Sequence, residues 1–237
     1  MKFHVVNNEI LVPLKCGSTY LERIYPNNIS DINYRDLPNL KGISTIILRE
    51  PIEHLQSALH TELLGWLWEN PTEILSTENM IPLINNFITN ELNPYGATHW
   101  DVHYYEHLYK FWKHNRNTLK VVHISDLTDF IKKEYEIDIP HNKFSYGIPA
   151  RAGKFEYAFT TKQELAKWIE EKLPELWNEL IKEIPKADKF YNLIINGEVS
   201  ESYELEERIQ LLEIKLNELE IKLDELEKSV KFKKTLI

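Results

Sequence analysis

Apolar residues in the first half of the chain occur in short blocks. Phe3–Val6 and Ile10–Leu14 are two such blocks, separated by Asn7-Asn8, a turn signal. Ile43–Leu48 is a continuous apolar run with β-branched residues, as expected of a strand buried on both faces, and Leu119–Ile124 reads the same way. Between and after these blocks the spacing changes to that of helices. The pattern predicts a short helix ending near Tyr25 before Pro26, then helices over 52–66, 78–92 and 101–115. A further helix follows Ser125-Asp126, and helices over 161–184 and 187–195 close the domain. Strand alternating with helix argues for a parallel sheet covered on both faces, an α/β fold over residues 1–198.

Residues 199–232 have a different period. Leu205, Ile209, Leu212, Leu216, Leu219, Leu223, Leu226 and Val230 are spaced alternately by four and three, the mark of heptad a and d positions. With Ile209 at a, the g positions are Arg208, Lys215 and Lys222, and the e positions are Glu206, Glu213, Glu220 and Glu227. In a parallel, in-register pair Arg208 faces Glu213, Lys215 faces Glu220 and Lys222 faces Glu227. The stripe predicts a C-terminal coiled-coil helix that assembles the chain with itself. A parallel dimer is the first expectation. No Asn occupies an a position, so a trimer stays open. The alternative is a solvated helix folded onto its own domain. Residues 233–237 read as a tail.

Composition narrows the class. A 43% hydrophobic share with twelve Tyr and six Trp is enough to fill a core, which excludes a disordered chain. No run of about 18 apolar residues or N-terminal leader is present, which suits a cytoplasmic protein without a membrane span. The single cysteine, Cys16, excludes an intramolecular disulfide framework. Of the net charge of −9, the segment 201–230 carries −6, leaving −3 on the remainder of the chain. The body can therefore hold a local basic site for an anion, while nothing resembles a basic stripe for nucleic acid.

Two segments offer such a site. Val12-Pro13-Leu14-Lys15-Cys16-Gly17-Ser18-Thr19 is a strand, a tight glycine turn and a helix start with two hydroxyls. Free N–H groups at a helix start attract phosphate-like anions, Gly17 allows close backbone approach, and Lys15 adds a full charge. The lysine precedes the glycine and no G-K-[ST] occurs, which argues against an ordinary ATPase, GTPase or P-loop kinase. An N-capped helix with a surface lysine is the plainer reading. In the second segment, Ile46-Ile47-Leu48-Arg49-Glu50-Pro51 ends a buried strand in an arginine at the carboxyl edge, where open α/β sheets bind ligands. Ser57 adds a hydroxyl two turns into the next helix, and Arg49 is suited to bidentate phosphate contact. Pairing of Arg49 with Glu50 or Glu53 is the competing reading.

Together these residues resemble the PAPS-dependent sulfotransferase superfamily, where PAPS is 3′-phosphoadenosine 5′-phosphosulfate. Lys15-x-Gly17-Ser18-Thr19 is similar to its phosphosulfate loop, with Leu14 intervening after Pro13. Arg49-x-Pro51-x-x-His54-x-x-Ser57 is similar to its 3′-phosphate site, although His54 stands where Arg is common. The match covers about the first 60 residues. His99-Trp100, Asn142-Lys143-x-Ser145 and Ala187-Asp188-x-Phe190-Tyr191 weakly resemble the carbohydrate branch. The resemblance implies a P-loop-like fold with PAPS as donor and no required metal. It places Lys15, Cys16, Gly17, Ser18 and Thr19 at the 5′-phosphosulfate, and Arg49 and Ser57 at the 3′-phosphate. The implied reaction moves a sulfuryl group to a hydroxyl or amine of a carbohydrate or other small acceptor, with Lys15 stabilising the leaving oxygen.

A general base is also required. Between the two motifs only Glu22, Asp31 and Asp36 offer acids and no His occurs, so His99 and His103 are the histidine candidates. His103 and His107, four apart, could bind a metal, but no third ligand is evident. Arg151 and Lys154, in a basic loop over 141–159, are candidates to close over the nucleotide. Trp66, Trp68, Trp100 and Trp112 could stack on sugars, though aromatics at helical spacing are more often core. A non-enzymatic sulfotransferase-like scaffold assembled by its coiled coil is the alternative function.

Overall fold

The computed structural model describes residues 2–69, 77–89, 103–137 and 161–235. The chain divides into two compact units, Met1–Gly197 and Glu198–Ile237.

The first unit is an α/β structure around a five-stranded mixed sheet of order β3-β1-β2-β4-β5. Its strands are β1 (Lys2–Val6), β2 (Ile10–Pro13), β3 (Ile29–Asn33), β4 (Thr45–Leu48) and β5 (Lys120–His123). β2, β4 and β5 are parallel, with Ile10 opposite Thr45 and Leu48 opposite His123. β1 runs antiparallel to both its neighbours. The expected all-parallel sheet is therefore corrected on this side. Asn7 and Asn8 both adopt positive φ (52° and 60°), and the chain reverses within three residues. Such a loop can only join antiparallel strands, whereas a parallel pair needs a long crossover.

Helices flank the sheet. α1 (Ser18–Ile24) follows β2, α2 (Pro51–Glu69) follows β4, and α5 (Leu127–Tyr135) follows β5 after a single 3₁₀ turn. Tyr20, Leu21, Leu127, Phe130 and Ile131 pack with Val6, Val12, Ile47 and Val122 into one core. On Phe3, a neighbouring position that points to the opposite face, the ring of Tyr104 closes at 5.0 Å between centroids. Tyr104 belongs to α4 (His103–Asn115). A second core joins Leu55, Leu59 and Leu63 of α2 to α3 (Thr77–Thr89) and to three later helices, α6 (Lys162–Lys172), α7 (Pro174–Ile181) and α8 (Ile184–Asn196). The single helix expected over 161–184 is two, because Pro174 cannot continue α6 and starts α7 instead. A Thr161–Glu164 capping box fixes where α6 begins. Trp112 is 4% exposed and lies in the core beside Tyr109, so it offers no face to a sugar.

The second unit is one long helix, α9 (Glu201–Thr235). Leu205, Ile209, Leu212, Leu216, Leu219 and Leu223 are exposed along it, as are Leu211, Ile214 and Ile221. No helix among the described residues is long and apolar enough to cross a membrane.

Candidate functional site

The carboxyl ends of β2, β4 and β5 lie side by side, and each delivers polar groups to the same edge. After β2 the chain turns over Pro13–Cys16, with Cys16 N–H donating to Pro13 O at 3.2 Å. Lys15 sits third in that turn at φ 64°, a left-handed conformation that non-glycine residues rarely adopt. Gly17 follows at φ 93° as the N-cap of α1. The N–H groups of Tyr20 and Leu21 both donate to Gly17 O. Those of Ser18 and Thr19 stand at the helix start, where no intrahelical carbonyl can accept them.

Arg49 leaves the neighbouring strand and donates from Nη1 to the carbonyl oxygen of Lys15. The two motifs are thus physically joined. Arg49 Nε is buried with no hydrogen-bond partner among the described residues. Burial holds the Lys15 ammonium below the ordinary lysine range, Glu62 partly offsets this, and Arg49 adds to it. Cys16 enters the loop through its backbone alone. Its thiol is buried in the core and pushed up to about 12 by loss of hydration, so the side chain is neither nucleophile nor anion donor.

The backbone at Arg49 is itself anchored. Tyr105 hydroxyl donates to Arg49 O at 2.7 Å, and the hydroxyl oxygen lies 3.1 Å from His54 Nδ1. Because the tyrosine proton is committed to the carbonyl, His54 Nδ1 must be the donor in that contact. His54 is fully buried. Here it buttresses the strand end through Tyr105.

Three residues that the sequence reading missed also reach this edge. Lys162, first in α6, places Nζ 3.0 Å from Glu53 Oε2. The ammonium holds the Glu53 carboxyl below its usual range through that hydrogen bond. Burial lowers the basicity of Lys162, against the opposing pull of Glu53. His123 ends β5; its Nδ1 is 2.7 Å from Ser125 Oγ, and its Nε2 is buried without a hydrogen-bond partner among the described residues. His4, on β1, has Nδ1 3.0 Å from Asp31 Oδ1, off the line of a well-formed hydrogen bond. Burial lowers its basicity, Asp31 and Glu22 oppose that, and Lys15 adds to it. The only signals in the sequence were strand-end position for His123 and a helix-start lysine for Lys162, both too common to single out.

Of the expected site residues, the structure brings Lys15, Cys16, Gly17, Ser18 and Arg49 together. Ser57 lies two turns along α2, half-buried. Thr19 is in α1. His103 opens α4, exposed, with Nδ1 3.1 Å from Glu106 Oε2, and its ring is 6.5 Å from that of His107. No cluster of three metal-type ligands occurs among the described residues. His99, Trp100, Arg151, Lys154 and the loop over 141–159 lie outside the described residues. No protein family, no curated protein and no solved structure matches the chain.

Proposed function

We propose that the protein is a PAPS-dependent sulfotransferase with a P-loop-like nucleotide site at this sheet edge. The observation that carries the reading is the contact of the Arg49 guanidinium with the backbone of the Lys15 turn. One adenosine derivative with anionic groups at its two ends can then be held by both. In this reading the Ser18 and Thr19 N–H groups and Lys15 take the 5′-phosphosulfate, while Arg49 and Ser57 take the 3′-phosphate. An acceptor hydroxyl or amine attacks sulfur in line, the S–O bond to the phosphate breaks, and Lys15 stabilises charge on the departing phosphate oxygen. His4, which lies 3.0 Å from Asp31 and whose basicity Lys15 helps to lower, is suited to take the acceptor's proton. His99 and His103 are the other histidines proposed for that role. The heptad seam of α9 assembles the chain as a parallel homo-oligomer, and the acceptor is a carbohydrate or other small hydroxylated molecule.

The reaction product 3′-phosphoadenosine 5′-phosphate tests this directly. At about 100 times its dissociation constant it stabilises the native state by about 2.7 kcal/mol, a rise in Tm of about 5 °C or more for a domain of this size. Lys15→Ala and Arg49→Ala should each remove most of that rise at the same nucleotide concentration. A folded wild type whose Tm does not move with millimolar nucleotide rules the assignment out. Binding without transfer to any of a broad set of acceptors would favour the assembled, inactive scaffold.

A further inference from the structure

One side of α2 carries more phosphate-binding chemistry than the resembled motif supplies. Arg49 precedes the helix, and Glu53, Ser57 and His60 follow at intervals of four, four and three, so they share a face. Glu53 and His60 are about 10 Å apart along the axis, with Ser57 between them. Lys162 touches one end of this stretch, 3.0 Å from Glu53. It also acts on the other end, where its charge adds to burial in lowering the basicity of His60. Lys162 thus borders, through Glu53, the face of α2 on which Ser57 and His60 lie.

Two further polar atoms on this face lack partners. Arg49 Nε and His60 Nε2 are buried with no hydrogen bond among the described residues. Buried polar nitrogens are ordinarily satisfied, and the cost of leaving them unpaired is recovered when a ligand supplies acceptors. Two full cations, a hydroxyl and an imidazole in its Nε2–H tautomer together present donors to one multiply charged oxyanion.

We infer that Lys162 and His60 complete the subsite begun by Arg49 and Ser57, that it holds a phosphate dianion, and that Glu53 occupies Lys162 until the phosphate arrives. This rests on the nucleotide reading above and extends it. Glu53 is then a competitor of the ligand, which no merely structural ion pair would be.

Calorimetric titration of the full chain with 3′-phosphoadenosine 5′-phosphate and with 5′-AMP, which lacks the 3′-phosphate, separates the possibilities. Lys162→Met should weaken the bisphosphate by about tenfold or more, as loss of a charge-assisted contact does, and change 5′-AMP binding by less than about twofold. His60→Ala should weaken the bisphosphate by about threefold or more. Glu53→Gln should tighten it by about threefold, since Lys162 no longer has to leave a carboxylate. The double variant Glu53→Gln/Lys162→Met restores local charge balance and should still bind weakly, which separates lost contact from damaged folding. If Lys162→Met leaves bisphosphate affinity intact while Arg49→Ala lowers it, the nucleotide reading stands and this inference fails. Equal losses on both nucleotides place Lys162 at the 5′ end and also overturn it. A wild type that binds neither nucleotide ends both.

Discussion

Lys15 and Gly17 share one physical problem, a chain that must turn sharply between β2 and α1 with positive φ at both residues. Glycine adopts that conformation without cost, whereas lysine does not, so the strain at Lys15 is offset by the Arg49 contact to its carbonyl. Gly17 has a second constraint. A β-carbon there would come within 2.6 Å of a methyl of Leu127. Gly17→Ala should therefore cost about 1–2 kcal/mol in urea unfolding and reduce nucleotide affinity with it. An alanine variant with unchanged stability would show that the turn is not held as described. At this scale the sequence was informative about residue types: a lysine, a glycine and an arginine at strand ends mark a candidate anion site. It was silent on Lys162 and His60, because nothing local distinguishes them from solvated residues on a helix.

Among the elements, those with apolar periodicity were legible and those without it were not. β2 and β4 are dense in Val, Ile and Leu and buried throughout, whereas β5 ends the strand order with Val122 as its one buried residue. β3 carries no such signal, because Ile29 and Ile32, three apart, break the alternation of a half-buried strand. It exists because β1 offers it a free edge, and Lys2 to Val6 pair in register with Asn33 to Ile29. α2 shows two faces at once. Leu55, Leu59 and Leu63 fill a core with Met80, Ile84 and Ile169, while the spacing of Glu53, Ser57 and His60 puts them on another face of the helix. Leu59 is 1% exposed, so Leu59→Ala should leave a cavity costing about 2–5 kcal/mol. Chemical denaturation would measure it, and a loss below about 1 kcal/mol would mean that the α2 core is not packed as found.

For the whole molecule, the acidic helix α9 is a separate compact unit. Its exposed apolar residues include the a and d positions from Leu205 to Leu223, and the proposed assembly buries them against a second copy with each basic g residue facing an acidic e residue. Replacing Leu216 and Leu219 by Asp should convert an oligomer to a monomer in light scattering, with nucleotide-induced stabilisation of the first unit kept. A wild type that is already monomeric at micromolar concentration would remove the assembly proposal without touching the nucleotide site. Leu211, Ile214 and Ile221 fall outside the seam, so the helix carries more apolar surface than the heptad pattern alone accounts for.

Periodicity, turn residues and strand-end charges act over a few positions, so the linear chain by itself determined the parallel strands, most helices, the heptad stripe and the lysine and arginine of the candidate site. The antiparallel edge at β3, the meeting of Arg49 with the Lys15 turn, and the placement of Lys162 against Glu53 were settled only by folding. The residues they join are between 23 (Val6 to Ile29) and 109 (Glu53 to Lys162) positions apart, and no local preference encodes which distant surface a side chain will face.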